Sequence, residues 1–138
     1  MSTELANIEH IKQPNDYTCV PAVVAMITRD PLESLIAELR PTPKSGTPHK
    51  RMVAALKGRG VPCGDRFVNM RGKPMPHTCI VRVSWGRRLG HVVLKVGRRW
   101  FDPLLDAPFV GEPIMTVSGE RVWVDCARIT SALWLYAQ

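Results

Sequence analysis

Gly60 divides this chain into two parts with different hydrophobic periods, and that division restricts the fold more than any other feature. Ahead of it, Leu32, Leu35, Ile36 and Leu39 recur at helical spacing, as do Met52, Val53 and Leu56. The run from Cys19 through Ile27 is apolar all round, the pattern of a buried helix. Asp30-Pro31-Leu32-Glu33 offers an acidic cap, a proline in the first turn and a capping-box-like glutamate; Thr47-Pro48 repeats that start, with Pro41 and Gly58 or Gly60 as stops. After Gly60, the segments Cys79 to Ser84, His91 to Val96 and Arg99 to Asp102 read as strands. Ile114 to Val117 and Arg121 to Cys126 read as a hairpin through Ser118-Gly119, and Ile129 to Tyr136 as a last strand. Helices followed by antiparallel strands predict an α+β domain rather than alternating α/β, with Pro41 to Gly46 and Met70 to His77 as loops.

At 138 residues, 45% hydrophobic and 22% charged, one domain spanning 1–138 is expected. A chain of this size buries roughly 68–70% of its unfolded surface, so it needs neither metal nor disulfide scaffold to fold. The longest apolar run, Val20 to Ile27, is far shorter than the roughly 18–20 residues that span a bilayer. Met1 to Gln13 carries Glu4, Glu9 and His10 without a basic-then-apolar pattern, so a cytoplasmic protein is the expectation.

The net charge of +7 is unevenly distributed. Residues 1–39 and 100–138 are acidic on balance, whereas residues 40–99 hold fifteen Lys and Arg with Asp65 as the only acid. That segment is either a solvated basic face or a surface for an acidic partner, such as an acidic protein segment or a nucleic acid, for which Trp85 and Trp100 would supply stacking surfaces. Both tryptophans also fit as core or hairpin residues.

Cys19, Cys63, Cys79 and Cys126 show no CxxC and no paired histidine spacing, so zinc is not expected and free buried thiols are. Cys19 differs from the rest because it begins a helix with Pro21 in its first turn. A thiol there faces the positive end of the helix dipole, which favours the thiolate, the form that attacks carbonyl carbon.

A nucleophile needs a base. His91 opens the strand His91 to Val96, and Gly97-Arg98 makes a two-residue turn into Arg99 to Asp102. In that register Val96 pairs with Arg99 and Val93 with Asp102, which sets His91 and Asp102 one diagonal step apart on the same face, roughly 7–8 Å or less between Cβ atoms. Val92, Leu94, Val96 and Phe101 take the other face, as a core requires. His49 and His77 read as surface positions, and nothing near His10 assigns it a role. Gln13, six residues before Cys19, is placed to fold back so that its amide and the Cys19 N–H converge on one oxygen.

Gln-x5-Cys-x-Pro-Ala at Gln13 to Ala22, Gly-His-x-Val at Gly90 to Val93 and Phe-Asp-Pro at Phe101 to Pro103 resemble the papain-like bacteriocin-leader (double-glycine) peptidase family and its free-standing relatives. The resemblance covers roughly residues 8–108. It implies a papain-like cysteine peptidase whose N-terminal helices pack against a C-terminal antiparallel sheet, with no cofactor. Cys19 would be the nucleophile, His91 the general base and later acid, Asp102 the residue orienting the imidazole and Gln13 the oxyanion donor. The implied partner is a protein or peptide substrate, and the basic segment suits an acidic one. The transporter membrane domain usual in that family has no counterpart in these motifs, so the substrate stays open among a leader peptide, a conjugated protein, a side-chain amide and a muropeptide peptide.

Overall fold

In the computed structural model the described residues are 7–84, 90–111, 114–115, 121–122 and 128–136. Three helices come first: α1 (Cys19–Thr28), α2 (Leu32–Leu39) and α3 (His49–Gly58). Strands follow: β1 (Val68–Asn69), β2 (Thr78–Ser84), β3 (His91–Val96), β4 (Arg99–Phe101), β5 (Phe109–Val110), β6 (Ile114–Met115), β7 (Arg121–Val122) and β8 (Arg128–Trp134). They form one sheet in the order β5-β4-β3-β2-β8-β7-β6, with β1 also on β8, and every pairing is antiparallel. The architecture is therefore α+β, as the change of period at Gly60 predicts. Residues 116–120 and 123–126 of the expected hairpin, Cys126 included, lie outside the described residues, as does Trp85. Among the described residues no helix is long and apolar enough to cross a membrane.

The core has two parts because both faces of the sheet are covered. On one face Ile80, Val92, Leu94, Phe101 and Leu133 pack against the helices, contributed by Val23 and Val24 of α1, Leu35 and Leu39 of α2, and Met52 and Leu56 of α3. Val96 adds a half-buried side chain there, so the register reasoning holds for this face. The opposite face is also apolar: Cys79, Val81, Val83, Val93, Trp100, Ile129 and Ala132 cluster beneath Met70, Met75 and Phe109. Burial on both faces explains why β2 reads as a nearly continuous apolar run rather than an alternating one. Lys95 falls on this second face, and its buried ammonium is hydrogen-bonded, donating to the carbonyls of Pro76 (2.7 Å) and His77 (3.2 Å).

The helix starts differ from the sequence expectation. Pro31 and Pro48 are N-caps with extended ψ of 136° and 139°, so α2 and α3 begin one residue later, and neither helix has a side-chain cap. The Asp30 carboxylate instead takes the Arg59 guanidinium (2.5 Å), which also reaches Glu38 (2.7 Å) and ties α2 to the end of α3. A charged partner outcompetes a backbone N–H for a carboxylate. Thr47 is buried with its hydroxyl unpartnered.

Candidate active site

Cys19 is the first residue of α1, a helix buried from Cys19 through Ile27. The turn before it is held by side-chain bonds: Tyr17 N–H donates to Asn15 Oδ1 (3.2 Å), and the Thr18 hydroxyl donates to the Asn15 carbonyl (3.1 Å). Pro21 has no N–H to donate, and the first turn contains no acidic residue, so nothing in the chain's own first turn neutralises the positive helix end under the sulfur. Cys19 is 9% exposed.

His91 begins β3 opposite Val83. The strand register Val96↔Arg99, Lys95↔Trp100 and Leu94↔Phe101 is the one the Gly97-Arg98 turn predicts, with Gly97 at φ +62°, a conformation that suits glycine. Asp102 follows directly after β4, and its Oδ1 accepts from the His91 ring at Nε2 (2.6 Å) and from the Leu104 N–H (3.0 Å). Both side chains are buried. The Cys19 thiol is near enough to the same ring to act on it by hydrogen bond and by charge. Burial opposes charge on the imidazole, but the hydrogen bonds and charges of Asp102 and Cys19 outweigh it, and the His91 pKa rises to about 9. Because Asp102 holds Nε2, Nδ1 is the nitrogen that remains for the sulfur.

Gln13 is 6% exposed. Its backbone N–H donates to the Pro103 carbonyl (2.8 Å), which fastens the segment leading to Cys19 beside Asp102. Its side-chain amide donates to the Asn15 carbonyl (2.6 Å), so one of its two N–H groups is engaged within the turn and the second is left over. The neighbouring contacts follow the same path: His10 Nε2 bonds the Leu105 carbonyl (2.7 Å), its ring stacks on Phe101, and Lys12 pairs with Asp106 (2.7 Å). His10 thus has a structural place that its sequence context did not announce.

The other described thiols are of a different kind. Burial raises the Cys63 thiol and pushes Cys79 up to about 12, which keeps both protonated and inert. No cluster of three or more His, Cys, Asp or Glu among the described residues is arranged to hold a metal ion. The sequence matches no family model and no curated protein.

A cleft of about 280 Å³ opens beside Cys19, walled by Val20, Thr47, His49, Arg82, Gly90 and Val92 among others. His49, expected at the surface, is half-buried there with its ring against Phe67 (centroids 4.3 Å apart). Burial and then the Arg82 charge lower its pKa. Arg82 and His49 come from β2 and α3, and no local spacing links them. His77 is exposed, as the sequence reading expects, with its ring beside the Gly97 turn and Nε2 3.2 Å from where a Cβ at residue 97 would stand. Trp100 is fully buried with its indole N–H on the Gly111 carbonyl (2.8 Å), so it is a core residue and offers no stacking face to a nucleobase.

Proposed function

We propose that this protein is a papain-like thiol hydrolase, a cysteine peptidase that cleaves a peptide or isopeptide bond. The observation that supports the reading best is the His91 ring held between the Cys19 thiol and the Asp102 carboxylate. An imidazolium beside a sulfur stabilises the thiolate, and an aspartate on the far nitrogen fixes the ring's orientation. In this reading the Cys19 thiolate attacks the substrate carbonyl carbon, and the resulting oxyanion takes the Cys19 N–H and the second N–H of Gln13. Collapse breaks the C–N bond as His91 protonates the leaving amine, leaving a thioester on Cys19. His91, now neutral, removes a proton from water; hydroxide attack releases the acid and restores the thiol–imidazole pair. The steps require no metal or organic cofactor. The same machinery on a side-chain amide would make a deamidase, and on a muropeptide a cell-wall peptide hydrolase.

The test is alkylation of Cys19 by iodoacetamide across pH 5–9, read by mass spectrometry, in the intact chain and in His91→Ala. At pH 6 only ~0.3% of a model thiol of pKa about 8.5 is ionised, so Cys19 should react about tenfold or more faster than glutathione, and His91→Ala should remove that advantage. Equal rates in the two chains would refute the thiolate–imidazolium pair. Replacing Cys19 by Ala should abolish hydrolysis and leave the fold in place.

A further inference from the structure

The cleft beside Cys19 contains more than the triad needs. Arg82 sits at a β-bulge: Arg82 pairs with Ser131 but Val83 pairs with Ile129, which leaves Thr130 as the extra residue. Bulges re-aim side chains, and this one sets the Thr130 hydroxyl against Arg82 twice, donating to its carbonyl (3.2 Å) and accepting from Nη1 (3.2 Å). The guanidinium is thereby laid over Gly90. A Cβ at residue 90 would lie 2.5 Å from Nε and 2.6 Å from Nη2, so glycine before His91 is what admits the arginine. Nε and Nη2 have no hydrogen-bond or ion-pair partner among the described residues.

Across the cleft stands the N-terminus of α3, ten residues long, with no side-chain cap and no acid in its first turn. Just before it, Thr47 is 7% exposed, lines the cleft and carries a hydroxyl with no partner. A buried hydroxyl without a partner is costly unless a ligand supplies one. His49, whose protonation is disfavoured by burial and by Arg82, adds no second positive charge to the cleft. Among the described residues Asp16 is the one acid on the rim; it is exposed and forms no ion pair with Arg82.

The geometry points to a carboxylate-binding subsite, in which Arg82, the Thr47 hydroxyl and the first N–H groups of α3 hold an acidic side chain of the substrate beside Cys19. This inference rests on the thiol-hydrolase reading and deepens it by naming the substrate class. One guanidinium balances one negative charge, so a carboxylate fits better than a dianionic phosphate. An arginine edge and a helix N-terminus are both suited to its two oxygens.

The experiment compares two alkylating probes, the α-amides of N-iodoacetyl-glutamic acid and N-iodoacetyl-glutamine, which share one electrophile and differ by one charge. Their rates at Cys19 are measured at pH 7 by mass spectrometry in the full chain, in Arg82→Gln and in Thr47→Val, the last removing a hydroxyl while keeping the side-chain shape. The glutamate probe should react about tenfold faster than the glutamine probe in the native chain. That ratio, taken within each chain so that any change in basal Cys19 reactivity cancels, should fall to about one in Arg82→Gln and by about threefold in Thr47→Val. Equal probe rates, both above that of glutathione, would overturn the subsite and leave the nucleophile standing. Both at glutathione's rate would overturn the nucleophile and the subsite together. A preference that survives both substitutions would assign it to the His91 imidazolium instead and overturn the subsite. Inorganic phosphate that slows the glutamate probe where equimolar acetate does not would overturn the carboxylate assignment.

Discussion

Replacing Asp102 by Asn tests the electrostatics of the site without removing a group from the chemistry. His91 is buried, and burial alone lowers an imidazole pKa below its ordinary 6.5; its rise to about 9 therefore depends on the groups around the ring, of which the Asp102 hydrogen bond contributes most and Cys19 next. The net rise corresponds to about 3 kcal/mol in favour of the charged ring. The amide of Asp102→Asn preserves the shape but not the charge, and it cannot accept as strongly from Nε2. The His91 ring signal in a proton–carbon correlation spectrum should therefore titrate near 9 in the native chain and well below that in Asp102→Asn. The chain has four histidines, so assignment by single substitution is practical. Ring titration is a better readout than unfolding. A folded pKa above the unfolded one stabilises the fold fully below about 6.5, and that contribution is lost as pH rises towards 9. The unfolding measurement is cleaner in Cys19→Ala, which has no second ionisable group on the ring; stability there should decline from about pH 6.5 upward until the ring is neutral. A His91 signal at 6.5 in the native chain, or one that ignores the loss of the Asp102 charge, would refute this account.

Three further outcomes follow from particular contacts. His49 should titrate below the ordinary imidazole value, and Arg82→Gln should move it upward by removing the charge beside it; an unmoved titration would place the guanidinium away from the ring. Arg40 ends α2 in the left-handed region at φ 48°, where a side chain is strained, so Arg40→Gly should stabilise the fold by about 0.5–1 kcal/mol in urea denaturation; a loss would show that the side chain does more than occupy a cap. Trp100→Phe should cost about 1–3 kcal/mol in the same assay, because the Gly111 carbonyl loses its indole donor inside the second cluster; a neutral result would mean that water replaces it.

What could be read from the chain alone was whatever short-range geometry determines. The β3–β4 register is set by a two-residue turn and an apolar alternation, both local, so the meeting of His91 and Asp102 follows from spacing. The position of Cys19 at a helix start is equally local. The caps were not legible, because Asp30 answers to Arg59, twenty-nine residues away, rather than to its own helix. β1 and β5 are two residues each, too short to show a period, and the cover they help give the second face hides in a stretch that reads as loop. His49 and Arg82 were missed for the same reason: only the tertiary fold brings α3 opposite β2.

Gln13 shows how such a site is joined from distant parts. In the proposed site Cys19 belongs to the helical layer and the His–Asp pair to the sheet, so strand register alone cannot bring the sulfur to the ring. Residues 10–13 run along residues 101–106 and make three polar contacts there: His10 on the Leu105 carbonyl, Lys12 on Asp106, and the Gln13 N–H on the Pro103 carbonyl. The last joins the residue after Asp102 to the sixth residue before Cys19. Lys12 and Asp106 are exposed and contribute little, whereas the Gln13 bond is backbone to backbone at a buried residue and holds distance well. Because that anchor is a main-chain bond, substitution of the Gln13 side chain leaves it intact. If the proposed mechanism holds, a Gln13 variant therefore separates oxyanion stabilisation from assembly: turnover should fall while the Cys19 alkylation profile, which depends on the assembled pair, stays as it was.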